Sequence, residues 1–161
     1  MNQLVRIVTG LAMLSGTAAL AQNVPTPSEV SYSEYGAVEA SLTGKPGDPA
    51  EGAKVISDKS LGNCVACHEL SSMPDVPFQG DVGPSLDAVG DRWSEGELRG
   101  IVANAKQTFP GTIMPAFYKN SGYIRPGDGF TGKAAKGELE PLLSPQQIED
   151  VVAYLMTLRE S

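Results

Sequence analysis

The chain has 161 residues, with 12 Lys and Arg against 19 Asp and Glu, a net charge of −7 at pH 7, two cysteines and one histidine. An acidic surface of this kind repels nucleic acid and anionic lipid and favours basic or charge-patterned protein partners. The length suffices for one domain built around one core.

The chain opens MNQLVRIVTGLAMLSGTAALAQ, with Arg6 near the start, an apolar run from Ile7 to Leu20, and Ala19 and Ala21 flanking Leu20. This pattern predicts a secretory signal peptide over residues 1–21, cleaved after Ala21. The run is shorter than the roughly 20 apolar residues of a spanning helix, and Gly10, Ser15, Gly16 and Thr17 weaken it further as an anchor. Cleavage removes Arg6 and no acid, which takes Lys and Arg from 12 to 11 against 19 acids, or −8.

Residues 22–47 are polar, acidic and turn-rich, with no sustained apolar period. They read as an extension without a core of its own, either mobile at the terminus or draped over the domain or a partner through Val30, Tyr32, Tyr35, Val38 and Leu42. Order is expected from Asp48-Pro49-Ala50-Glu51, which combines an N-cap acid, a proline at the first helical position and a glutamate placed to reach back to the cap. A short helix through Asp58 follows from it. Ser94-Glu95-Gly96-Glu97 starts a second helix with Leu98, Ile101, Val102 and Ala105 on one face. Ser144-Pro145-Gln146-Gln147 starts a third, in which Ile148, Val151, Val152, Leu155 and Leu158 recur at helical spacing. The segments between them are long and rich in Gly, Pro and Ser, with no alternating run able to build a sheet. The expected class is all-α, a few helices and long loops that a large bound group would help to pack.

Both cysteines and the single histidine fall within five consecutive positions, Cys64-Val65-Ala66-Cys67-His68. C-x-x-C-H is the attachment signature of c-type haem. Two thiols one helical turn apart can each form a thioether with one vinyl group of the porphyrin, and the next residue carries an imidazole to the iron. A structural zinc site needs four protein ligands, and the chain has no further Cys or His. A thioredoxin-like dithiol expects a strand-helix-strand setting, of which there is no sign. Covalent haem therefore accounts best for the cluster, with His68 as proximal ligand.

With one histidine, a second axial ligand must come from another residue type, and methionine is the soft donor that suits electron transfer. Met1 and Met13 leave with the signal, Met73 lies only five residues beyond His68, and Met156 sits in the final helix as a candidate packing residue. Met114 lies 46 residues after His68 in FPGTIMPAFY, between Pro110 and Pro115, which confine the backbone around it. Met114 is the expected ligand; a lysine or an open position remains chemically possible. Arg92 and Trp93 offer donors for haem propionates, or are a surface arginine and a core tryptophan.

From about Asp48 to Ser161 the chain resembles class I cytochromes c. GDPAEGAKVI is similar to their first helix, CVACH to the haem motif, VGPSL to the loop whose proline carbonyl receives the proximal histidine N–H, and VVAYLMTL to their last helix. In that fold the first and last helices cross closely, with Gly52 permitting the approach and Tyr154 packing over it. The finer pattern, GNCVACHEL, GDVGPSL, RWSEGELRGIVANAK, TIMPAFY and LSPQQIEDVVAYLMTL, resembles the SoxX family, the monohaem subunits of SoxAX cytochromes of bacterial sulfur oxidation.

The resemblance implies a cytochrome c domain over 48–161 with one haem c on Cys64, Cys67, His68 and Met114. It further implies a heterodimer with a SoxA-type cytochrome, a periplasmic setting, and an L-cysteine S-thiosulfotransferase that joins thiosulfate to a cysteine of the SoxYZ carrier protein. Within such a complex this chain would take up electrons and pass them to another cytochrome, with no catalytic residue of its own. A free-standing electron shuttle and a haem-based sensor of diatomic ligands are the alternatives. Ser121 to Leu143 matches no feature of the family.

Overall fold

The computed structural model describes residues 23–127 and 131–160. The predicted signal peptide, residues 1–21, lies outside the described residues. Among the described residues there are four α-helices: α1 Pro49–Ser57, α2 Val89–Arg92, α3 Glu95–Asn104 and α4 Pro145–Leu155. Short 3₁₀ turns at Cys64–Ala66 and Ala105–Gln107 complete the regular structure. Among the described residues there is no strand, only one isolated antiparallel bridge between Gly127 and Ala134. None of the described helices is long and apolar enough to cross a membrane.

Helices α3 and α4 start as their sequences predict. Ser94 Oγ accepts from the Glu97 N–H while the Glu97 carboxylate takes the Ser94 N–H at 2.8 Å, and Ser144 and Gln147 repeat the exchange. Each such cap is worth about 1 kcal/mol. The start of α1 departs from expectation. Asp48 caps the Ala50 N–H at 2.8 Å, but Glu51 turns along the helix to Lys54 at 2.6 Å instead of reaching back. The Asp48 N–H is taken by Asp150 Oδ1 of α4 at 2.8 Å, a tertiary partner that replaces the local one.

Helix α1 buries Gly52, Val55 and Ile56 against α4, which presents Ile148, Val151, Val152 and Leu155. Fully burying an aliphatic side chain of this size contributes about 1.5–3 kcal/mol. The crossing is close enough that a Cβ added at Gly52 would stand 2.0 Å from the Asp150 carbonyl oxygen and 3.0 Å from Tyr154 Cβ. Only glycine fits there. Helix α3 adds Leu98, Val102 and Ala103 to the same core. Ala105 belongs to the 3₁₀ turn after α3, and Leu158 lies beyond α4, where its carbonyl accepts the Gly90 N–H of α2 at 2.9 Å.

Residues 23–47 have no regular structure, yet they are a strap across the domain and not a loose end. Val38 and Leu42 are buried in the common core. The Val38 N–H donates to the Gly96 carbonyl at 2.9 Å, and Tyr118 donates to the Pro25 carbonyl at 2.6 Å. Burial pushes the Tyr32 phenol up to about 12, with Tyr118 nearby adding to the effect. Beneath the strap lies a buried ion pair between Arg99 of α3 and Glu149 of α4.

Candidate functional site

The site is built on the turn that follows α1. The Asp58 carboxylate accepts from the Ser60 N–H and hydroxyl, and Asn63 takes a left-handed conformation, φ 46°, which redirects the chain into the 3₁₀ turn Cys64–Ala66. Asparagine tolerates this region better than most residues. The Cys67 and His68 N–H groups both donate to the Cys64 carbonyl, at 3.1 and 3.0 Å. The turn thus gathers the three donors predicted from the motif. Cys64 and Cys67 are not disulfide-bonded; Cys67 is exposed and Cys64 lies partly under the fold. Burial pushes the Cys64 thiol up to about 11, outweighing the backbone hydrogen bond that lowers it.

Residues 70–87 double back alongside this turn. Gly80, Gly83 and Leu86 donate their N–H groups to the carbonyls of Val65, Cys67 and Glu69 at 2.8, 2.7 and 3.0 Å. Gln79 organises the bend, accepting from the Leu70 N–H at 2.6 Å and donating to the Met73 carbonyl at 2.7 Å. The returning limb of this loop brings the Pro84 carbonyl to His68 Nδ1 at 2.7 Å, the contact that the resemblance leads one to expect. With Nδ1 donating there, Nε2 is the nitrogen left to coordinate a metal.

Gly83 leaves room for the imidazole. A Cβ at this position would stand 2.2 Å from His68 Cε1 and 2.6 Å from Nδ1. Gly83→Ala should therefore push the ring off the Pro84 carbonyl, and the expected result is a changed haem spectrum in a chain destabilised by about 1–3 kcal/mol. An unchanged Soret region with an unchanged melting temperature would show that the ring is not confined here.

Met114 stands apart, on the loop after α3. Its N–H donates to Thr112 Oγ1 at 3.2 Å, its carbonyl accepts from Lys106 Nζ at 2.6 Å, and its side chain packs partly buried against the core that also receives Cys64. No hydrogen bond joins the Met114 loop to His68 or the cysteines among the described residues. Met73 lies in a turn closed by its N–H to the Leu70 carbonyl at 3.2 Å, and Met156 caps the end of α4.

The donor set fits a covalently bound haem better than a bare ion. Two thiols flank one turn, one imidazole nitrogen has no hydrogen-bond partner among the described residues, and apolar Val82 and Ile113 stand on the surface next to Gly83 and Met114 in the chain. Among the described residues no group of three or more His, Cys, Asp or Glu is arranged to hold a metal ion.

Arg92 and Trp93, the donors weighed for haem propionates, both have partners within the fold. The Arg92 guanidinium donates to the carbonyls of Asp87 and Ser85, the latter at 2.8 Å, and so buttresses the loop that carries Pro84. Trp93 is half-buried and meets Phe109 edge-on with ring centroids 5.9 Å apart. The Asp87 carboxylate holds Ser71 through its N–H and hydroxyl, at 2.9 and 2.6 Å, which keeps this acid below its usual range. Neither anchor was legible, because each pairs a charged side chain with backbone or hydroxyl groups of a loop.

The cytochrome c family model matches residues 49–159. A chain in the crystal structure of SoxXA from P. pantotrophus is 61% identical, over 86% of this chain and 100% of that chain, with a TM-score of 0.82. The c-type cytochrome SorU from Sinorhizobium meliloti is 23% identical over 68% of this chain and 88% of its own, with a TM-score of 0.41. No curated protein sequence matched. The fold is that of a class I cytochrome c, and the cofactor is one covalently bound haem c. By the match across its folded length, the chain belongs to the cytochrome c family and, within it, to the SoxX type.

Proposed function

We propose that this chain is the monohaem electron-transfer subunit of a SoxAX-type L-cysteine S-thiosulfotransferase, paired one to one with a SoxA-type cytochrome in periplasmic thiosulfate oxidation. The observation that carries the reading is the 61% identity to a chain of SoxXA over the whole of that chain. Cys64 and Cys67 would hold the haem through thioethers, and His68 and Met114 would supply the ligands of its iron. When bound, the haem supplies reversible one-electron exchange.

The residues of this chain set the terms of that exchange. Pro84 fixes the tautomer and direction of His68 through the 2.7 Å hydrogen bond. The thioether of Met114 would favour the reduced iron and would compete with external ligands. Both cysteines are committed to attachment, so no thiol of this chain remains for sulfur transfer, and that chemistry falls to the SoxA-type partner acting on the SoxYZ carrier. Residues 1–21 serve export, which fits thioether formation outside the cytoplasm. A further cytochrome receives the electrons.

Purification of the tagged chain from sulfur-oxidising cells, followed by native mass and haem count, tests the assignment. A second c-type cytochrome should co-elute in one-to-one ratio, and the pair should consume thiosulfate with SoxYZ where neither subunit alone does. Elution of a lone chain carrying one haem under the same conditions would replace this reading with that of a free-standing shuttle.

A further inference from the structure

The Met114 carbonyl precedes Pro115, and among the described residues no backbone N–H reaches it. Its recorded partner is Lys106 Nζ at 2.6 Å. Lys106 sits on the 3₁₀ turn Ala105–Gln107 directly after α3. That turn is itself well held: Ala105 is fully buried, its carbonyl accepts from the Phe109 N–H at 2.8 Å and the Thr108 N–H at 3.2 Å, and the Lys106 N–H donates to Asn104 Oδ1 at 3.3 Å. Lys106 makes no ion pair among the described residues, so its ammonium is directed at this carbonyl and not at a carboxylate.

The segment it reaches is held at its two ends, and its middle has only the 3.2 Å bond from the Met114 N–H to Thr112 Oγ1 besides. Thr112 donates to the Phe109 carbonyl at 3.1 Å at one end, and Tyr118 donates to the Ala103 carbonyl at 2.9 Å at the other. Ala116 and Phe117 are buried, and the Phe117 carbonyl accepts the Leu143 N–H at 3.1 Å, so the stretch short of support is Ile113 to Pro115, where Ile113 and Pro115 are exposed and Met114 is partly buried. The prolines stiffen the loop but do not fasten it to the domain. A charge-assisted hydrogen bond from a rooted helix end does fasten it.

We propose that Lys106 is a positioning residue for the distal side of the haem: by holding the Met114 carbonyl it keeps the Met114 sulfur presented to the iron. The inference rests on the reading of Met114 as the sixth ligand. A second consequence follows from charge alone. A cation bonded to the ligand residue's own peptide favours the less positive, reduced iron, so removing it lowers the reduction potential.

The test is competition for the sixth position. The ferric holoprotein is titrated with imidazole at pH 7 and displacement of the native ligand is followed in the Soret region. A hydrogen bond of this kind on a solvent-exposed side chain is worth about 1 kcal/mol, so Lys106→Met should bind imidazole about fivefold more tightly. Lys106→Arg keeps donor and charge and should stay within about twofold of the unaltered protein. Lys119→Met removes a lysine whose ammonium lies over the Tyr123 ring and bonds the Gly122 carbonyl, not Met114, and should change neither affinity nor potential. Because Lys106 is exposed, the melting temperature serves as a check that the variant is folded.

Tighter imidazole binding in Lys106→Met, a lower potential, and rescue of both by Lys106→Arg together support the proposal. An unchanged affinity in Lys106→Met overturns it, as does an arginine variant that behaves like the methionine one. Met114→Ala separates this outcome from failure of the ligand assignment. If its ferric spectrum is unaltered, Met114 is not the ligand and the proposal falls with it; if it changes while Lys106→Met does not, the positioning role alone is refuted.

Discussion

Arg99→Leu is expected to lower the unfolding free energy by about 3–5 kcal/mol. Arg99 is 3% exposed and Glu149 4% exposed. Arg99 Nε donates to both carboxylate oxygens of Glu149, at 3.0 and 3.1 Å, and one terminal nitrogen donates to the second of them at 3.1 Å. The other donates to the Val38 carbonyl at 2.9 Å, and Glu95 closes the set from the preceding turn of α3. On the far side, Glu149 Oε1 accepts the Leu42 N–H at 2.6 Å. Burial works against the Arg99 charge, but Glu149 and Glu95 together outweigh it and hold the guanidinium above its ordinary value.

Leucine at Arg99 would leave a buried carboxylate uncompensated and the Val38 carbonyl without a donor, and both penalties fall on the same few residues. The strap is therefore expected to loosen with the loss of Arg99. Denaturant unfolding of the holoprotein measures the cost, and amide exchange at Val38 and Leu42 reports where it falls. The double exchange Arg99→Leu with Glu149→Met should recover much of the loss, because an apolar pair replaces an ionic one. A single-variant loss below about 1 kcal/mol would show that water reaches the pair and that it behaves as a surface bridge.

That ion pair also marks the boundary of what the sequence made legible. Caps are local, so Ser94 with Glu97 and Ser144 with Gln147 could be read from four residues each, and both form. Asp48 and Pro49 were read by the same logic, but Glu51 was not placed correctly, because Asp150 from the other end of the chain takes the Asp48 N–H. The strap could not be decided from residues 22–47 at all. Its anchors are charged residues 50 positions apart that pattern reasoning assigns to solvent.

At the site, spacing alone singled out Cys64, Cys67 and His68, since C-x-x-C-H is a local chemical demand. Pro84 became legible through the family resemblance, and Arg92 and Lys106, which steady the loops around Pro84 and Met114, did not. Their partners are backbone carbonyls, which carry no side-chain signature. Ser121 to Leu143 stayed unread for a simpler reason: its described residues are largely exposed and include one isolated bridge, so no burial pattern constrains the sequence.

Met114→Ala is expected to leave the haem covalently attached and to lower its reduction potential by a sizeable part of the roughly 0.8 V that axial ligation spans. Attachment depends on Cys64 and Cys67, which lie on a turn held by its own hydrogen bonds and by the loop carrying Pro84. None of those contacts involves Met114. On the proximal side, donation from His68 Nδ1 to the Pro84 carbonyl raises the basicity of Nε2, which favours the oxidised iron. The Met114 thioether opposes that preference, and an alanine leaves the position to water or a harder donor. The potential must then fall, and the ferric spectrum should move toward that of a five-coordinate or water-ligated haem. Spectropotentiometric titration of the purified holoprotein measures both. Met73→Ala and Met156→Ala are the discriminating controls: Met73 is confined to a turn whose carbonyl is tied to Gln79, and Met156 ends α4 against the core, so neither exchange should alter potential or spectrum. An unchanged potential in Met114→Ala, or a fall in either control, would move the sixth ligand to another residue and remove the chemical basis for reading Lys106 as its support.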